Sequence, residues 1–501
     1  MRDGDTFGGL RAARLWRWEW LLAVVLAAGA ARDAWVLTRS AVALGIDGYY
    51  YVLQVERLRD YGHFYYPTRT PLILYLLYGV SLLTGDALTA VKLCGVFLHA
   101  LLCLGVYAVL FAATGRKWPG VLGSALAAAA GLHVYLITEF INSLGALTLL
   151  VWSAWGAIRA FQTGVKRWFA LSASLLAAAF LSHRVALSLV LVVTVSALLA
   201  RWLTAAGPSR NRYAYAAAAI FVLLFCSPAL LLAQPFFELP GWLRKEFLVA
   251  PRWPLRRFDV AEGLMLLVAS PAALLAVRLA AGARRAGIAA QVFATVALWS
   301  LLIPLNPFLN HNTGFLGVVG RLSSVLYIQA AVLVPGLIWL LAPRWPRARL
   351  PLVLAALALS ALSVSAPLPY GATADYLKGR ERLIRQLEAR RPRLCDEPLV
   401  IAPHGEQFVV TAVLGVPAQQ RPPSATRPQC TYWLLHGVRG PLLQGGLEVL
   451  GEDAPGLVSA LVEDGELRQL LGGMAGGERR QLMAANPHLR EALRGRPGVP
   501  E

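Results

Sequence analysis

Charge is scarce in this chain, and acid is scarcer than base. Asp, Glu, Lys and Arg make up 15% of the 501 residues, with 28 acidic against 47 basic side chains, while hydrophobic residues reach 57%. Charge this sparse excludes an ordinary soluble domain, and repeated long apolar runs place the chain in the polytopic membrane class. Five cysteines are too few for a disulfide framework. Cys94, Cys103 and Cys226 lie inside apolar runs and read as plain core residues; Cys395 and Cys430 belong to the polar C-terminal region and can pair if it faces an oxidising compartment. Missing too are a His/Cys/Asp/Glu cluster with zinc-like spacing, a glycine-rich phosphate loop, a Ser-His-Asp signature and any nucleic-acid module, so no metal site is read. No secretory signal peptide is evident: the apolar stretch after Arg11, Arg14 and Arg17 lacks a convincing cleavage site and reads as a first anchor. The net charge of +19 comes mostly from short loops between apolar runs, as membrane topology requires, so nucleic acid is not an expected partner.

What is present is a succession of apolar runs. A bilayer core needs about 20 mostly apolar residues per helix, and on that rule about eleven spans are expected, at 18–37, 87–113, 118–138, 143–161, 168–183, 185–203, 213–234, 261–281, 288–305, 322–342 and 350–367. The run from Trp168 to Trp202 is too long for one crossing and reads as a hairpin turning at His183-Arg184. Every second loop is then short and basic, which sets the N-terminus in the cytoplasm and the C-terminus outside. Three segments face outward: 38–86, 235–260, and the chain from about Pro369. The expected division is a transmembrane module over 1–368 and an extracytoplasmic domain over 369–501. That second part reads as a small α/β domain with a short helical tail. An amphipathic helix spans 374–391 and a buried strand 398–403, with apolar runs at 408–415 and 431–435 read as further short strands.

The first outward segment opens with Asp47-Gly48. Tyr50, Leu53, Leu58 and Tyr61 fall on one helical face and Glu56, Arg59 and Asp60 on the other, with Gly62 as a C-terminal stop. After Pro67-Thr68-Arg69-Thr70-Pro71 comes Leu72-Ile73-Leu74-Tyr75-Leu76-Leu77-Tyr78, apolar nearly all round and short for a span. Both helices read as interfacial. Asp47 is either a helix N-cap or a general base at the lip of a wet cavity, and one residue can do both.

This arrangement resembles the GT-C superfamily of membrane glycosyltransferases, which includes the protein O-mannosyltransferases and the lipid A aminoarabinose transferases. The resemblance rests on the order of spans over roughly 15–370, and above all on Asp47-Gly48-Tyr49-Tyr50 through Tyr61-Gly62 and Tyr66-Pro67 to Pro71-Leu72. It implies an inverting transferase at the outer face of a bacterial-type inner membrane. Such an enzyme moves a sugar from a polyprenyl-phosphate-linked donor to an acceptor glycan, lipid or protein, with Asp47 as the base. Many members carry two acids together at this place, whereas here Gly48 follows the aspartate. The sequence requires no cofactor and leaves room for a divalent cation.

Further residues at the expected outer face fit a lipid-phosphate site. Glu139, in Thr138-Glu139-Phe140-Ile141-Asn142, is an acid close to hydrocarbon and reads as support for acceptor or metal, or as an interfacial cap. His183 and Arg184 stand at the hairpin tip as phosphate contacts or a snorkelling turn. The loop 235–260 mixes Arg244 and Lys245 with Trp242 and Phe247, a composition suited to anionic headgroups. Arg321, at the start of the tenth span, is a phosphate contact or an anchor. His99 reads as a buried neutral histidine bonded to a neighbour. The rival reading is a transporter or lipid flippase, which would put ionisable groups near the bilayer midplane on interrupted helices.

Overall fold

A computed structural model describes residues 7–204, 211–220, 260–280, 287–307, 325–364, 373–390, 394–395, 398–419, 430–438, 449–454, 457–463 and most of 467–490. In chain order the helices are α1 (Phe7–Thr38), α2 (Gly48–Tyr61), α3 (Leu72–Thr84), α4 (Ala87–Thr114), α5 (Lys117–Ala129), α6 (His133–Glu139), α7 (Ile141–Thr163), α8 (Lys166–Ser182), α9 (Val185–Thr204), α10 (Val260–Ala280), α11 (Gly287–Leu302), α12 (Leu326–Leu341), α13 (Arg349–Val364), α14 (Ala374–Arg390), α15 (Glu406–Leu414) and α16 (Gly476–Ala485). The chain divides into two compact units: Met1–Trp35, Thr68–Ile73 and Leu93–Leu368 in one, Val36–Pro67, Leu74–Lys92 and Pro369–Glu501 in the other.

The first unit is helical. Among the described residues, six helices are long and apolar enough to cross a membrane, or seven if α5 and α6 form one broken span. The sequence count of about eleven is larger because it takes in α8, α11 and α12, of 17, 16 and 16 residues. At 1.5 Å per residue such helices are shorter than a hydrocarbon core about 30 Å thick and count as spans only with flanking residues that snorkel. It also takes in 213–234, of which only the beginning is described. Small residues let these helices approach closely. A Cβ on Gly336 would lie 2.3 Å from the Phe293 ring, and one on Gly123 would lie 2.3 Å from Leu110 Cδ1 and 2.6 Å from the Ala331 carbonyl. The outward faces carry large apolar side chains such as Phe97, Val268 and Leu275, as a lipid-facing surface requires.

One break in this unit needs explaining. Between α5 and α6 the axis turns by 59°, which frees backbone groups that hydrocarbon cannot satisfy. The Arg32 guanidinium donates to the carbonyls of Ala128 (3.2 Å), Ala129 (3.1 Å) and Ala130 (3.2 Å). The Gly131 N–H donates to Ser363 Oγ at 2.8 Å, and Ser363 Oγ donates in turn to the buried carboxylate of Glu262. The bend is thus held by three side chains from α1, α13 and α10.

The second unit centres on a five-stranded sheet of order β2-β1-β3-β5-β4, from β1 (Pro398–Ile401), β2 (Ala418–Gln419), β3 (Cys430–Val438), β4 (Val449–Ala454) and β5 (Leu457–Glu463). β1 runs parallel to β2 and β3, and β5 runs antiparallel to β3 and β4. Side chains alternate between its faces with the two-residue period of a strand. Leu399, Ile401, Trp433 and Leu435 pack on one face with Leu467, Leu471 and Leu482. Val400, Ala402 and Leu434 pack on the other with Leu383 and Leu387 of α14 and Val409, Val410 and Leu414 of α15. The run 408–415, read as a strand, is this helix α15. Glycines decide it: Gly405 stands at its N-cap and Gly415 ends it in the left-handed conformation at φ 72°, and a helix of this length returns the chain to a strand parallel to β1. Cys395 and Cys430 form a disulfide with Cα atoms 6.7 Å apart, ahead of β1 and at the start of β3.

Candidate functional site

Asp47 belongs to the second unit, at the N-cap position of α2, yet its side chain makes no capping hydrogen bond. The cap reading therefore holds for position only. Its carboxylate faces His404 instead, with Nε2 3.1 Å from Oδ1. The separation is that of an ion pair without hydrogen-bond alignment, and Oδ1 is a buried acceptor that no donor meets. The Asp47 side chain is 23% exposed and that of His404 43%, so the group is accessible from solvent.

Two dipeptides make this pair. Gly405 has φ +89°, and a Cβ there would come within 2.4 Å of Ile46 Cγ2 and 2.9 Å of the Ile46 carbonyl. Only glycine permits both the dihedral and the approach. With Gly405 seated on Ile46, the preceding His404 is delivered to the following Asp47. The loop is fixed elsewhere as well. Ser40 Oγ donates to Glu381 Oε1 at 2.7 Å, Lys92 Nζ donates to the Ser40 carbonyl at 2.7 Å, and the Tyr376 hydroxyl donates to the Gly45 carbonyl at 3.4 Å. Arg380, buried on α14, contacts the Tyr376 hydroxyl and pairs with Glu406 at 3.3 Å.

Aromatic rings line the approach. Phe408 lies 5.4 Å from the Tyr50 ring, 5.5 Å from Tyr66 and 5.7 Å from His404, and Tyr50 stacks on Tyr66 at 6.0 Å. The fully buried Gln54 holds them by pairing with one peptide unit: its Nε2 donates to the Tyr66 carbonyl and its Oε1 accepts from the Tyr66 N–H, both at 2.9 Å. Burial pushes the Tyr66 hydroxyl up to about 12. It raises Tyr50 too, with the Asp47 charge adding to the effect. Both phenols stay neutral.

Glu139 belongs to the first unit, where it is buried at the end of α6. Asp47 and Glu139 therefore fall in different units. The helix breaks at His183-Arg184 as the sequence predicts, α8 ending at Ser182 and α9 starting at Val185. His183 Nδ1 accepts from the Val185 N–H at 3.2 Å, and Arg184 is exposed. His183 shares a cavity of about 20 Å³ with Leu136, Phe140, Ser143 and Leu189, so the two helix junctions following Glu139 and Ser182 meet there. That volume admits about one water. Arg244, Lys245 and Arg321 lie outside the described residues.

Sequence reasoning missed two groups. His404 follows a parallel strand and precedes a helix, the connection at which α/β sheets carry their sites, and that was the available signal. Asp33, His99 and His133 come together in the first unit with no short spacing to announce them. His99 is indeed buried and bonded to a neighbour, Asp33.

No family model and no curated protein matches the chain. Among solved structures, the archaeal oligosaccharyltransferase AglB from Archaeoglobus fulgidus, in complex with an inhibitory peptide and a dolichol-phosphate, is similar over 80% of this chain with a TM-score of 0.51 at 12% identity. The fold is similar to that of AglB. This chain spans 64% of AglB's length. ArnT from Cupriavidus metallidurans in the apo state has a TM-score of 0.49 at 13% identity, covering 92% of this chain and 99% of ArnT. With undecaprenyl phosphate bound, ArnT gives 0.46 at 13% identity over 88% of this chain and 97% of its own. The GT-C likeness read from Asp47-Gly48 and the order of spans is, at these identities, a likeness of fold.

Proposed function

We propose that this chain is an inverting glycosyltransferase that moves a sugar from a polyprenyl-phosphate donor to an acceptor at the outer face of a bacterial-type inner membrane. The observation that carries the reading is Asp47. It is an aspartate at a helix start whose carboxylate is not spent on capping, set beside His404 in a chain with a GT-C fold. In the proposed reaction Asp47 takes the proton of an acceptor hydroxyl while that oxygen bonds to the anomeric carbon. The bond from that carbon to the phosphate oxygen breaks with its electrons, inverting the configuration. Fixed cations then stabilise the departing lipid phosphate; His183, Arg184, Arg321, Arg244 and Lys245 are proposed for that task, with Glu139 positioning the acceptor. AglB, whose structure holds dolichol-phosphate, supports a donor of the same lipid class. With Gly48 in place of a second acid, Asp47 offers one carboxylate to a divalent cation.

The proposed topology has about eleven spans, the N-terminus inside, and residues 369–501 as an extracytoplasmic α/β domain. The Cys395–Cys430 disulfide supports that placement, since such bonds persist in oxidising compartments. One observation favours the rival transporter or flippase: a broken span beside the buried Asp33, His99 and His133.

The test is purified protein with a panel of radiolabelled polyprenyl-phosphate sugars and extracted envelope acceptors, with EDTA or added Mg²⁺ and Mn²⁺ as separate arms. Sugar transfer by the wild type, lost in Asp47→Asn, is the expected result. Undiminished turnover in the variant removes Asp47 as base, and ligand flux into liposomes without transfer would move the assignment to the transporter.

A further inference from the structure

The first unit holds a polar cluster that the proposed transfer does not use. Asp33 from α1, His99 from α4 and His133 at the start of α6 are buried to 0%, 1% and 0% exposure. Asp33 Oδ2 lies 2.6 Å from His99 Nδ1, and Oδ1 lies 2.7 Å from His133 Nε2. The two imidazoles stack with centroids 4.0 Å apart and planes 6° from parallel. Each ring therefore turns one nitrogen toward the same carboxylate.

The outer nitrogens decide what the inner ones can be. His133 Nδ1 faces the Ala130 carbonyl, which only accepts, so that nitrogen carries a proton. A neutral His133 then presents a bare lone pair at Nε2 to a carboxylate oxygen. His99 Nε2 lies 3.6 Å from Cys103 Sγ, a weak donor and weak acceptor. If its N–H points there, His99 too shows a lone pair to Asp33. In that tautomer two lone pairs and a carboxylate converge at this range, and a proton or a metal cation must lie among them. A proton can serve on His133 or on Asp33, either way held between two groups in a fully buried place, whereas one divalent ion meets all the donors at once.

We infer that Asp33, His99 and His133 form a binding site for a zinc-class divalent ion, with His99 Nδ1, His133 Nε2 and both Asp33 oxygens as ligands. Three features fit. The donor set of two imidazoles and one carboxylate is one that zinc takes, and a chelating carboxylate brings it to four donor atoms. Both histidines place the other ring nitrogen against a fixed partner, Ala130 or Cys103, as metal-bound histidines do. The Tyr327 hydroxyl, whose ring is 6.5 Å from that of His99, is buried with no hydrogen-bond partner, a polar group waiting for a ligand in the same place. Ligand bonds of about 2.0–2.2 Å at tetrahedral angles set donors from different residues about 3.3–3.6 Å apart, so the two imidazoles draw back from the carboxylate by less than about 1 Å to accept the ion. The ion would pin α1 to α4 and to the far side of the broken span, a structural role independent of the transfer reaction.

The test is elemental analysis of full-length protein expressed with zinc supplementation and purified in detergent without a metal-affinity step. About one zinc per chain is expected in the wild type, and at least tenfold less in Asp33→Asn/His133→Gln. Monodisperse elution of the variant shows that it is folded. Should the variant aggregate, wild type stripped with chelator and titrated with Co²⁺ decides alone: visible d–d bands that vanish on adding Zn²⁺ support the site. Wild type without bound zinc and without those bands, or a folded variant that retains its zinc, overturns the proposal and leaves the cluster a protonated hydrogen-bond network.

Discussion

The imidazole of His404 stands 3.1 Å from the carboxylate of Asp47, although one residue lies in the first loop and the other directly after β1. A part-exposed pair of this kind is worth about 0.2–1 kcal/mol. His404→Ala is therefore expected to slow sugar transfer by at most about fivefold, against about 10²–10⁴-fold for Asp47→Asn. Initial rates with a labelled lipid donor separate the two. A loss in His404→Ala as deep as in Asp47→Asn would assign the proton to the imidazole.

Gly405→Ala places a methyl 2.4 Å from Ile46 Cγ2 on a backbone at φ +89°. Strain at such a dihedral costs on the order of 1–3 kcal/mol, and relief comes only by lifting His404-Gly405 away from Ile46-Asp47. A lower thermal midpoint together with reduced transfer is expected. Ile46→Ala in the same background, by vacating the contested space, should restore part of both.

Glu56 on α2 is half-buried, and that burial raises its carboxyl above the ordinary value of 4.5, against an opposing pull from Arg59. The folded state binds this proton more tightly than the unfolded state. Stability is thus undiminished below the unfolded value and falls as pH rises through the raised folded value. Glu56→Gln should leave the midpoint unchanged at pH 4 and raise it at pH 7.5. Equal shifts at both values would exclude the titration as cause.

Arg32→Leu removes the donor shared by the carbonyls of Ala128, Ala129 and Ala130. Leaving a buried acceptor unmet costs about 1–3 kcal/mol, and three are affected. Fluorescence-detected size exclusion after a heating series should show a marked fall in the aggregation midpoint. Arg32→Lys, which can still reach one or two carbonyls, should fall between.

Local signals carried much of the fold. The boundaries of α2, its glycine stop at Gly62, the break at His183-Arg184 and the helix at Ala374–Arg390 follow from apolar periodicity and terminal residues within a few positions. Where two elements share the same apolar content, the pattern failed. Phe408-Val409-Val410 suits a strand by residue type, and its helical state is set by flanking glycines and by the need to cross back to β2. The bend at Ala130-Gly131-Leu132 was illegible because no proline marks it; it exists because Arg32, Ser363 and Glu262 receive the freed backbone groups. Pairings across long separations escaped for the same reason. Nothing near Asp33 in the sequence points to His99 or His133, and nothing near Asp47 points to His404.

The seat of Gly405 on Ile46 also has a temporal meaning. A ribosome releases the first loop early and the sheet late, so Asp47 emerges long before its imidazole neighbour exists. The pair closes only after His404 has been made, and a product terminated before it carries the aspartate without the group that faces it. Synthesis through His404 and Gly405 thereby becomes a condition for assembling this corner of the molecule.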